Sequence, residues 1–110
     1  MAFFTIFVAP GLSSAEYRRA LRAGPTFVSS RRLDHVELLR RAGFESVEER
    51  DLTPEFLQTS RAWNAARAAH AAALIAEDGE AAFRERQADN EVQSDAIVDG
   101  LLRRSLFICS

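Results

Sequence analysis

The chain is 110 residues long, with fourteen arginines but no lysine, nineteen alanines, two histidines, one cysteine and a formal net charge of −2. That length allows one domain, residues 1–110, with a single small core, which is short for a complete doubly wound cofactor enzyme. One cysteine excludes a disulfide framework and a cysteine-built zinc site, and the slightly acidic balance gives no electrostatic reason to expect nucleic acid. Ala2 to Val8 (AFFTIFV) is a run of β-formers with little alternation, which predicts a strand buried on both faces. It ends at the breaker Ala9-Pro10-Gly11. Its apolar part spans about six residues, far short of the roughly twenty of a membrane span, and no cation precedes it. The chain therefore reads as cytoplasmic, with no membrane partner.

A short helix follows to about Arg22, stopped by Gly24-Pro25. Ser13 and Glu16 have capping-box spacing, and Leu12 and Tyr17 fall at the two positions of a hydrophobic staple. A second helix is predicted to start after Ser29 or Ser30, with Leu33, Val36, Leu39 and Ala42 at helical spacing. Gly43 then stands at a left-handed cap and Phe44 closes it. Phe44 to Leu52 reads as a strand whose charges, Glu45, Glu48, Glu49 and Arg50, suit a protected sheet edge. Thr53-Pro54-Glu55 starts a helix with a capping threonine, running to about Ala76. Phe56, Trp63, Ala66, Ala73 and Leu74 lie along its inner stripe. Nine of the sixteen residues from Ala62 to Glu77 are alanine, which favours helix. Asp78-Gly79 breaks it, and a second long helix runs from about Glu80 to Arg103. Its middle, Arg84 to Asp95, reads as solvated, and Ile97, Val98, Leu101 and Leu102 as docked. Ser105 to Cys109 is a final buried strand.

Few residues point to chemistry. The glycines at 11, 24, 43, 79 and 100 lie far apart, so no phosphate-cradling loop is present. Neither histidine has partners at metal-ligand spacing. His70 follows Trp63 by seven residues on the same helix face and reads as a core or interface histidine, whereas His35 reads as a surface residue. Cys109 reads as a buried structural thiol, since no helix start or cation stands by to activate it. The pairs Arg18-Arg19, Arg31-Arg32, Arg40-Arg41 and Arg103-Arg104 alternate with acids and read as solvated faces. Tyr17 and Trp63 read as staple and core packing. The exception is positional. Pro10, Gly11 and Leu12 follow the carboxyl end of a buried strand, where ligands sit in open α/β sheets, and Tyr17 comes next.

Taken together, AFFTI and its loop, LLRRAGFESVEERDLTPEF, Arg61-Ala62-Trp63 and LLRRSLFIC resemble the C-terminal half of class I S-adenosylmethionine-dependent methyltransferases. The segment from Leu38 to Leu52 is the most telling, because an AGF followed by a strand and an aspartate resembles the usual entry to that family's sixth strand. The resemblance implies an α/β fold, a partial Rossmann-like sheet of three strands ordered as fifth, seventh and sixth. The last strand would be antiparallel in the middle, with two long helices inserted before it. It also implies S-adenosylmethionine as the cofactor of full-length relatives. The glycine-rich loop and the acid that bind this cofactor have no counterpart here, so no cofactor-binding or catalytic residue carries over and no cofactor is expected in this chain alone. What remains is the substrate side, with a pocket at Pro10, Gly11, Leu12 and Tyr17. A first strand without its neighbour predicts a homodimer or association with an N-terminal methyltransferase half. The alternative is a non-enzymatic dimerisation or interaction domain built on the two long helices, with Phe56, Trp63 and His70 at the interface.

Overall fold

A computed structural model describes residues 1–25 and 34–110. The described elements are β1 (Ala2–Val8), α1 (Ser14–Ala23), α2 (His35–Arg41), β2 (Val47–Asp51), α3 (Thr53–Ala69), α4 (Ala71–Asp78), α5 (Glu80–Val98) and β3 (Leu102–Cys109). The protein is α/β. Among the described residues the strands form one sheet in the order β1-β3-β2, and β3 is antiparallel to both neighbours. β1 and β2 therefore run parallel to each other on opposite sides of the last strand.

Local signals place most of these elements. The Ser13 hydroxyl accepts from the Glu16 N–H at 3.2 Å and the Glu16 carboxylate accepts from the Ser13 N–H at 3.0 Å, which completes the capping box of α1. The second helix begins at His35, with the Asp34 carboxylate accepting from the Val36 N–H. The start expected after Ser29 or Ser30, and Leu33 of its stripe, lie outside the described residues. At the end of α2 Gly43 has φ +107°, its N–H donates to the Arg40 carbonyl, and the Phe44 N–H donates to that of Leu39. This is a complete Schellman closure.

Several expected boundaries move. β2 starts at Val47 rather than Phe44, because Phe44 is consumed by the helix closure and the Glu45 and Ser46 N–H groups donate to the Ser110 carbonyl. Thr53 is the first residue of α3 and not its cap; its hydroxyl accepts from the Arg104 N–H at 3.2 Å instead. The alanine-rich helix does not run unbroken to Ala76. It stops at Ala69, and α4 starts anew after His70, which leaves helical dihedrals (φ −108°, ψ 24°) and shares its N–H between the Ala66 and Arg67 carbonyls. The last helix ends at Val98 rather than Arg103. Gly100 (φ +77°) donates to Ile97 and Leu101 donates to Ala96, a second Schellman closure. β3 consequently begins at Leu102, three residues before the expected Ser105.

The two faces of the sheet are covered unequally. On one face Phe3 stacks on Phe107 at 5.4 Å between ring centroids, and the imidazole of His35 in α2 packs against Phe7 (5.0 Å) and Phe107 (5.4 Å). His35 is thus half-buried in an aromatic cluster and not the surface residue expected, because the first turn of α2 lies over the sheet. On the other face Val8 and Leu102 join Ala20, Ala23, Phe56, Ala96, Ile97 and Leu101 in the core that docks α1, α3 and α5. Cys109 is buried, as read from its apolar strand. Val98, expected to dock, is exposed.

Candidate functional site

On the face of the sheet that carries α1, α3 and α5 the core fills only one end. Along β1 the side chains of Phe4, Ile6 and Val8 point to this face, and the cross-strand register sets Phe4 opposite Leu106, Ile6 opposite Arg104 and Val8 opposite Leu102. Val8 and Leu102 are sealed by helices, whereas Phe4 remains 56% exposed. Between these ends lies a groove. One part, about 350 Å3, has Ile6 and Phe56 as an apolar floor, Trp63 as an aromatic wall, and Thr59, Ser60, Asn90, Gln93 and Arg104 as polar lining. A second hollow of about 440 Å3 continues from it along Phe4, Thr5, Ile6 and Arg104.

The helices bring these residues together through their own spacing. Phe56, Ser60 and Trp63 fall four and three residues apart on α3 and so share one face. On α5 Asn90 and Gln93 do the same. The two helices are joined beneath the groove by Ser60, whose hydroxyl lies 2.8 Å from that of Ser94 and donates to the Gln93 side-chain oxygen at 3.5 Å. Further along, Gln87 accepts from Arg67 and donates to the Asn64 carbonyl, both at 3.2 Å. The polar middle of α5 is therefore largely exposed, as its composition predicts, and partly an interface with α3.

Arg104 is held from behind. Its carbonyl accepts from the Leu52 N–H at 2.8 Å and its own N–H donates to the Thr53 hydroxyl. Beside it Arg103 points to the opposite face and pairs with Asp51 at 2.9 Å. The Thr53 hydroxyl, together with the Thr53 N–H and the Arg103 guanidinium, holds the Asp51 carboxyl below its usual range. Arg104 differs from its neighbour. Its guanidinium lies 4.9 Å over the Phe4 ring and has no hydrogen-bond or ion-pair partner among the described residues.

The residues singled out in the sequence divide between two places. Phe56 and Trp63 meet in the groove, Phe56 buried in its floor and Trp63 64% exposed on its wall, so the tryptophan is not the core residue its stripe suggested. His70 stands at the joint between α3 and α4, exposed and not in the core. Pro10 and Gly11 form an exposed turn, while Leu12 and Tyr17 pack on the core as a staple. None of these four lines either hollow. Arg104 was hidden in the sequence because it fell between the expected helix end at Arg103 and the expected strand start at Ser105. The signal that finds it is a charge opposite Ile6 on an otherwise apolar face of the strand pair. Among the described residues no group of three His, Cys, Asp or Glu side chains is placed to hold a metal ion, and no helix is long and apolar enough to cross a membrane. The groove offers hydroxyls, amides and one cation, a set suited to binding and orienting a ligand. No protein-family model matches the sequence, and no curated protein matches it.

Proposed function

We propose that this chain is the C-terminal, substrate-side portion of an S-adenosylmethionine-dependent methyltransferase-like protein, without cofactor binding or activity of its own. The observation that carries the reading is the sheet. Its last strand lies antiparallel between two strands that are parallel to each other, the arrangement the sequence resemblance implies.

The open side of β1 supports it. Met1 and Cys109 exchange both backbone hydrogen bonds at 2.8 Å, so with the observed register Phe3, Thr5 and Phe7 also face β3. The N–H and C=O groups of Ala2, Phe4, Ile6 and Val8 then point away from the sheet. Among the described residues this row has no strand beside it, only the Thr5 hydroxyl donating to the Ile6 carbonyl at 3.5 Å, and with no charged residue β1 is an unguarded edge that calls for another strand. In this reading an N-terminal methyltransferase half, or a second copy in its absence, supplies that strand. Sedimentation velocity on the isolated chain tests it, with association expected; a stable, monodisperse monomer overturns it. Titration calorimetry with S-adenosylmethionine on the same sample is expected to give no heat of binding, and micromolar affinity overturns the assignment to the substrate side alone.

Exposed Trp63 favours a second reading, a non-enzymatic interaction domain that associates through α3 and α5. A large aromatic ring left open to water on a helix is a frequent anchor of protein contacts.

A further inference from the structure

The groove beside Arg104 has the chemistry of a ligand site. Its volume of about 350 Å3 lies within the range of small-molecule pockets. Arg104 shares the lack of an anionic partner among the described residues with Arg18, Arg22, Arg40, Arg61, Arg67 and Arg86, but it alone of these lines the groove. Five other arginines, at 19, 41, 50, 84 and 103, each pair with an acid. Arg104 instead has its guanidinium 4.9 Å over the Phe4 ring, a contact that supplies no counter-charge. Among the described residues that line the hollow beside Trp63, no carboxylate competes for it.

We propose that this groove binds an aromatic monocarboxylate. The planar guanidinium of Arg104 takes the carboxylate in a two-pronged pair of charge-assisted hydrogen bonds. The ring system lies on Ile6 and Phe56 and against the indole of Trp63. With its oxygen engaged by Ser60, Gln93 is left with its amide nitrogen as a further donor. A single cation with neutral amides and hydroxyls matches one negative charge and leaves a phosphate dianion half-compensated. Every residue named belongs to this chain, so the site needs no cofactor half and is independent of the methyltransferase reading.

The protein holds one tryptophan, so its indole N–H gives a single cross-peak in a nitrogen–proton correlation spectrum. Titration with 2-naphthoate is expected to move that peak saturably. The neutral isostere 2-naphthamide is expected to bind at least about tenfold more weakly, and Arg104→Gln to lose naphthoate by a similar factor while its remaining spectrum stays that of the native fold. An unmoved indole peak up to about 1 mM naphthoate overturns the proposal. So does equal binding of acid and amide, a comparison on the native protein that stands even if Arg104→Gln fails to fold. Arg104→Gln that folds and binds naphthoate undiminished overturns it as well.

Discussion

Asp51 ties the end of β2 to the strand that crosses it. It accepts from the Thr53 N–H at 2.9 Å and from Arg103 at 2.9 Å, and the Thr53 hydroxyl, then the Thr53 N–H and Arg103, lower its pKa from an ordinary 3.8. A carboxylate whose folded pKa is depressed stabilises the fold at all pH above its unfolded value. That contribution fades as pH falls through the unfolded value towards the lower folded one. Asp51→Asn is therefore expected to flatten the acid limb of stability between about pH 5 and pH 2, measured as urea midpoints across that range. A variant whose midpoints track the native protein in parallel through the acid limb excludes this role. Arg103 and Arg104 illustrate how little a residue's type says without its element. They are adjacent and chemically identical, and both read as solvated in the sequence. The pleat sends them to opposite faces, Arg103 to an acid and the Phe7 ring, Arg104 to the Phe4 ring and no acid.

Elements were legible where a local signal closed on itself. The capping box at Ser13 and the glycine closure at Gly43 each involve groups within about six residues, so the sequence contains the whole interaction. Gly100 carries the same closure, yet the apolar Leu101 and Leu102 beyond it read as a continuing helix face, and the register of β3 was lost with it. The break at His70 has no such mark, since neither proline nor glycine stands there. Gly79 is sharper than either, because it ends α4 and opens α5 as one residue, with φ +90° and ψ 158°. A Cβ there meets nothing within 4 Å, so the cost of adding one is purely that of the backbone. Gly79→Ala is expected to destabilise the protein by about 1–3 kcal/mol in urea unfolding. A change below the error of that measurement would mean that the two helices reach their angle without this conformation.

For the whole molecule, the two outer strands are built to opposite rules. β2 carries Glu48, Glu49, Arg50 and Asp51 along its length, whereas β1 carries no charge at all. The sequence announced both characters, but the groove between sheet and helices depends on residues from β1, α3, α5 and β3, whose approach no local pattern encodes. The edge and the helix face are separable as sources of association. Proline at Phe4 removes an N–H that points away from β3 and leaves the existing ladder intact. Phe4→Pro is thus expected to dissociate the assembly in sedimentation velocity while keeping the native circular dichroism, and Trp63→Ala to leave it associated. The reverse pattern would assign association to α3 and α5. The strand at the centre of the sheet is also the last of the three in chain order, and its ladders reach back to Met1 across 108 residues and to β2 across 54 to 62. Helices can form as the chain lengthens, but the sheet has no partial version without β3. Closing loops of that length is a slow search. The apolar segment at the start of the chain therefore waits unpaired until the final strand arrives, and this interval is when a neighbouring molecule competes for it most strongly.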